Sequence, residues 1–196
     1  AQLSRGLGDV YKRQMMSLGI NIVDVFLLLF FSRSAAASWT KSVGTEHLKS
    51  AMEKGNGVFC LGVHMGSGDM GISSLNYLGF KINLITKSFK SNFLNDIWFR
   101  VRKKHGTKLI LDRKSTTEII RSLKKNEIVI FVLDQFMGPP LGVKTVFFGR
   151  ETGTALGLAL LAQRTGASVV PCYSYVDDYG KVVNCFEKEI PLQDLG

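Results

Sequence analysis

A histidine and an aspartate five residues apart, in the run His64-Met65-Gly66-Ser67-Gly68-Asp69, are the residues of this 196-residue chain best suited to moving a proton. On a helix, at about 100° per residue, a spacing of five turns two side chains roughly 140° apart, so they cannot share one helical face. Gly66 and Gly68 permit a tight turn instead, from which Asp69 could curl back toward the imidazole from a helix N-terminus. There the carboxylate would fix the tautomer and stabilise the imidazolium formed when His64 takes a proton from a hydroxyl. Such a dyad needs no protein nucleophile. Ser67 lies between the two, but its surroundings read Met-Gly-Ser-Gly-Asp rather than Gly-x-Ser-x-Gly, so it is not expected to form a covalent intermediate. The alternative for an isolated H-x-x-x-x-D motif is a strand-end histidine with its hydrogen bonds satisfied and no chemistry. His47 and His105 are expected in exposed helical or loop contexts and are assigned no role.

The elements that would position these residues are legible from hydrophobic periodicity. The run 57–63 (GVFCLGV) is continuously apolar, as expected for a strand buried on both faces, and His64 follows it immediately. A residue leaving the end of such a strand stands where open α/β sheets place functional groups. Further strands are expected at 81–86, 108–111, 128–133, 168–176 and 181–187. Helices are expected at 45–54, 69–78, 91–104, from Ser115 to about 125, and at 153–165; Ser115-Thr116-Thr117-Glu118 has the capping-box pattern. The strand at 128–133 ends at Asp134, and the Gly- and Pro-containing stretch 135–150 reads as a loop. Strands alternating with helices at this spacing predict an α/β fold, a largely parallel central sheet flanked by helices.

Composition narrows the partners. Hydrophobic residues make up 45% of the chain and charged residues 21%, which describes a folded chain and not a disordered one. The formal net charge of +9 favours anionic partners such as a membrane surface, a phosphorylated lipid or an acidic carrier protein. No RNA-recognition or helix-turn-helix signature accompanies it, so nucleic acid is not expected. Cys60, Cys172 and Cys185 have no metal-ligand spacing, and no second ligand set stands near His64, so neither metal nor other cofactor is expected. Cys60 and Cys172 sit in apolar runs and read as buried free thiols of a reducing compartment.

Three regions are expected. Residues 1–14 resemble a translated sequencing adapter and are set aside as non-native; they carry +2 of the charge, leaving +7. Residues 15–44 form an apolar helical region, whose stretch 18–31 (LGINIVDVFLLLFF) falls short of the about 20 residues that span a bilayer. It is therefore read as a buried or interfacial helix. Residues 45–196 form the main domain, expected to be truncated.

Residues 45 to 191 resemble the lipid A biosynthesis lauroyl/myristoyl acyltransferases, within the wider lysophospholipid acyltransferase-like group. The resemblance runs through ordered blocks: Glu46-His47-Leu48, Gly57-Val58 and the His64 motif; Leu111-Asp112-Arg113-Lys114; Leu123-Lys124-Lys125-Asn126-Glu127; Asp134-Gln135; Gly142-Val143; Phe147-Phe148-Gly149; and Thr165-Gly166-Ala167 with Val169-Val170-Pro171. It implies a cytoplasm-facing enzyme of the bacterial inner membrane that moves an acyl chain from acyl carrier protein to a glycolipid acceptor. His64 would be the general base and Asp69 its orienting partner, while Asp134 would structure the site. Arg100, Arg102 and Arg113 would contact substrate, since a guanidinium binds phosphate bidentately or stabilises an oxyanion. Two departures stand out: Asp69 where relatives more often carry Glu, and Gly68 where they often carry Trp. The resemblance leaves two alternatives open: acyl transfer to a lysophospholipid or amino-acid lipid, and a non-catalytic module that binds anionic lipid.

Overall fold

The computed structural model describes residues 2–111 and 115–192. Five parallel strands form the body of one seven-stranded sheet: β2 (Val58–Gly62), β3 (Ile82–Thr86), β4 (Lys108–Leu111), β5 (Ile128–Val132) and β8 (Ser168–Val176). The order across the sheet is β1-β9-β8-β2-β5-β3-β4, where β9 (Val182–Phe186) runs antiparallel to β8, and β1 (Thr40–Val43) runs parallel to β9. The sheet is thus largely parallel, as the alternating pattern predicted.

β2 lies at its centre, paired with β5 and β8, and its side chains feed two cores. Val58 and Cys60 point to one face, against Leu48 and Ala51 of α3 (Thr45–Glu53) and Leu75 of α4 (Gly68–Tyr77). Phe59 points to the other, against Ile119 and Leu123 of α6 (Ser115–Leu123) and Leu158 and Ala162 of α7 (Gly157–Thr165). A strand covered on both faces must be apolar at successive positions, which is why 57–63 shows no polar alternation. Truncating the fully buried Phe59 to Ala would cost about 3–5 kcal/mol by this packing.

The remaining elements brace one side. α1 (Gln2–Phe30) and the short α2 (Arg33–Ser38) pack with α4 and α5 (Asn92–Lys104) through Val25, Leu28, Ala36, Met70 and Val101. His105, fully buried after α5, hydrogen-bonds the Leu28 carbonyl through Nε2 at 2.9 Å and ties α1 to the body.

Several expectations change. α1 is longer than the apolar stretch 18–31 and includes most of the segment set aside as non-native. Its part Gly8–Phe30 spans 23 residues, long and apolar enough to cross a membrane by length and composition. The stretch 135–150 is not all loop: β6 (Gly142–Phe147) pairs with β7 (Arg150–Ala155) as an antiparallel hairpin, so α7 starts at Gly157 rather than at 153. α2 falls within the region 15–44 expected to be helical, whereas the four-residue β1 was not expected. Cys60 is buried and all three thiols are free, but Cys172 is only half-buried.

Candidate active site at the strand ends

β2 and β5 are parallel neighbours whose register pairs Gly62 with Val132. Two residues beyond each of those ends stand His64 and Asp134, so the register itself delivers them to each other. Asp134 grips His64 at two points: the backbone N–H of His64 donates to Oδ2 at 2.7 Å, and the ring Nδ1 lies 2.6 Å from Oδ1. A carboxylate against Nδ1 selects the tautomer that carries its proton there, leaving Nε2 with a lone pair. The imidazole side chain is 60% exposed, open to an incoming hydroxyl. Burial pushes the Asp134 carboxyl up, but the two His64 donors and the imidazole's charge outweigh it and hold the group below its ordinary value. Asp134 is therefore an anion throughout the neutral range.

The pairing expected between His64 and Asp69 is not the one the fold makes. Asp69 sits in the first turn of α4 and turns its carboxylate toward α5, where Arg102 Nε donates to Oδ1 at 2.6 Å and Nη2 to Oδ2 at 3.2 Å. Trp98 Nε1 donates to Oδ2 at 2.9 Å, and Arg102 Nη1 reaches Thr86 Oγ1 at the end of β3 at 3.0 Å. Both members of this ion pair are only 15% exposed. The physical reason is direction: a helical first-turn residue seven positions past the strand end projects toward the neighbouring helix, where a complete set of donors waits.

Only one of the two glycines is needed for the turn between them. Gly66 has φ +63, and a Cβ there would collide with the backbone carbonyl of Ser174 on β8. That carbonyl's own residue fastens the turn, as Ser174 Oγ donates to the Met65 carbonyl at 2.8 Å. Gly68, by contrast, has open space around it and no left-handed φ. Ser67 is almost wholly buried and its hydroxyl finds no partner among the described residues.

The arginines expected to contact substrate are placed differently from one another. Arg102 has its fork occupied by Asp69 and Thr86, whereas Arg100, two residues along α5, is exposed on another face. Arg113 lies outside the described residues. Among the described residues no group of three or more His, Cys, Asp or Glu side chains could hold a metal ion. The residues that sequence reasoning missed are Trp98 and Thr86, whose roles depend on a contact between α5, α4 and β3 that no local pattern encodes.

The profile of the family described as "Bacterial lipid A biosynthesis acyltransferase" matches residues 9–188, nearly the whole chain. The "Lipid A biosynthesis lauroyltransferase" of Escherichia coli (strain K12) is 28% identical over 159 residues, covering 79% of this chain and 50% of that protein. The "Lipid A biosynthesis palmitoleoyltransferase" of the same organism is 28% identical over 156 residues, with 79% and 50% covered. A "Lipid A biosynthesis acyltransferase" of Haemophilus influenzae is 23% identical over 155 residues, with 78% and 48% covered. The chain spans about half the length of the curated relatives it matches.

Proposed function

The chain belongs to the bacterial lipid A biosynthesis acyltransferase family, and from that premise we propose that the protein moves a fatty acyl chain from acyl carrier protein onto a hydroxyl of a lipid A precursor or related glycolipid. The observation that carries the reading is the His64–Asp134 clasp, which engages Nδ1 and leaves the other ring nitrogen of an exposed imidazole open at the C-terminal ends of β2 and β5.

The chemistry follows from that tautomer. Nε2 takes the proton of the acceptor hydroxyl as its oxygen attacks the thioester carbonyl of the donor, and Asp134 stabilises the imidazolium that results. The tetrahedral intermediate collapses with cleavage of the C–S bond, and the imidazolium returns its proton to the departing thiolate. The products are an ester and a free thiol. Asp69 acts at one remove: by neutralising Arg102 and anchoring the start of α4, it holds the turn that follows His64. The chain's positive charge suits an acidic carrier protein and a phosphorylated acceptor. α1, apolar and little buried, suits a place against the cytoplasmic face of the inner membrane.

The test is turnover. The protein carrying this chain, purified and supplied with acyl carrier protein thioesters and a panel of glycolipid, lysophospholipid and amino-acid lipid acceptors, should acylate the glycolipid. His64→Ala should lower the rate by about 10²–10⁴-fold, the usual contribution of a general base. Turnover unchanged in His64→Ala, or no acceptor acylated by the wild-type protein, overturns the reading.

A further inference from the structure

The β6–β7 hairpin carries an apolar tip where a soluble protein would place polar residues. Its base is anchored: Gly142 and Gly153 are buried against the Met137 carbonyl, and Met137 N donates to the Gly153 carbonyl at 3.1 Å. Beyond the Lys144–Gly153 pair the strands continue for three more pairs, roughly 10 Å at strand rise, before the turn. At the end stand Val146, Phe147 and Phe148, which are 71%, 67% and 91% exposed. The two-residue turn is Phe148-Gly149, with φ +49 and +74. A hairpin turn of that shape favours Asn, Asp or Gly at its first position, and a bulky residue there is strained. The chain accepts that strain and presents an aromatic ring edge-on to its neighbour, Phe147, with nothing covering either. An outlier of this kind calls for a function.

The tip does not stand alone. The hairpin begins eight residues after Asp134, so it hangs from the edge of the sheet that holds His64. Other segments at that end of the strands also expose large apolar side chains: Met65 after β2, Phe89 after β3, Phe93 in the first turn of α5, and Phe136 after β5. Interspersed with them are cations. Segments 87–90 and 142–155 carry Lys87, Lys90, Lys144 and Arg150 against a single carboxylate, Glu151. Exposed aromatics rimmed by Lys and Arg are the composition that enters the headgroup layer of an anionic bilayer.

We infer that the tip of the β6–β7 hairpin inserts into the interface of an anionic lipid bilayer, as a membrane contact separate from α1, and sets the His64 edge of the sheet against the membrane surface. The inference rests on a lipid acceptor only for its purpose; the contact itself is independent of turnover. It would turn the exposed His64 imidazole, at the C-terminal end of the central strand, toward the bilayer.

The experiment uses the whole chain with vesicles of brominated phosphatidylcholine, with and without phosphatidylglycerol, and reads the tryptophan emission added by Phe148→Trp over that of the wild-type protein. Leu78→Trp, after α4 at the opposite edge of the sheet, serves as the reference position. The added emission at 148 should be quenched by the bromolipid, more strongly with phosphatidylglycerol present, while that at 78 should not. Phe147→Ser with Phe148→Ser should lower the rate on bilayer-embedded acceptor by roughly tenfold, since interfacial binding scales with buried apolar area, and leave the rate on detergent-dispersed acceptor unchanged. Equal quenching at 148 and 78, or none at 148, overturns the inference. So does a concentration-dependent dimer broken by the double serine variant without quenching, which would assign the tip to a second copy of the chain. Quenching at 148 in a protein that acylates nothing would sink the proposed reaction and leave the membrane contact standing.

Discussion

Asp134 and Asp69 are two aspartates that serve one histidine motif in opposite ways. Asp134, seventy positions from His64, holds the ring directly and sits at an open edge. Asp69, five positions away, is enclosed and saturated by Arg102 and Trp98. The difference teaches that a parallel sheet makes neighbours of strand ends more reliably than a short loop makes neighbours of its own residues. It also separates an exposed pair, open to solvent, from an enclosed ion pair that braces α4 against α5.

The comparison can be broken by substitution. Asp69→Ala should have the largest effect on folding, because it leaves the Arg102 guanidinium enclosed and unpaired, a loss of about 3 kcal/mol. Urea unfolding measures it, and replacing Arg102 with Met in the same chain should recover part of the loss. Asp134→Asn should leave the unfolding midpoint nearly unchanged and lower kcat by about 10²-fold, since the amide no longer selects the Nδ1–H tautomer. If instead Asp69→Asn spared stability and Asp134→Asn unfolded the chain, the roles assigned to the two would be reversed. Gly66→Ala meets both a left-handed φ and the Ser174 carbonyl, and should cost about 1–3 kcal/mol. Gly68→Ala, in open space, should cost far less by the same measurement.

A smaller, pH-dependent effect comes from His105. Burial is the main cause that lowers its pKa from 6.5, helped by Lys104 and Arg33 and opposed by the hydrogen bond to Leu28. Its folded-state pKa is depressed, so the unfolded chain binds the proton more readily. The stability it contributes is full above about pH 6.5 and is lost as pH falls toward the folded value. Thermal midpoints should therefore decline on acidification below pH 6.5, and His105→Asn should flatten that decline at the cost of a lower midpoint near neutrality.

Much of the fold was legible because its strands are buried on both faces. The runs 57–63 and 128–133 are apolar without alternation and fall within a residue or so of β2 and β5, and the expected strand 168–176 coincides with β8. The hairpin was hidden by its turn, since Phe148-Gly149 lacks the Asn-Gly signal that marks a turn of that shape. β1 was hidden by its length, four half-exposed residues at the sheet edge. In the site, His64 and Asp134 were each readable as the residue that leaves a buried strand. What could not be read was that β2 and β5 are adjacent and in register, so the nearer acid in sequence was assigned to the histidine. Sequence distance governs contacts within a helix; across a sheet, order and register do.

The tautomer of His64 tests this account most directly. In a chain labelled with ¹⁵N-histidine, the two-bond proton–nitrogen correlations of neutral His64 should show Nδ1 protonated and Nε2 bare. Asp134→Asn should shift His64 toward the Nε2–H form, while Asp69→Asn should leave it unchanged. A tautomer indifferent to Asp134 and reversed by Asp69→Asn would contradict it.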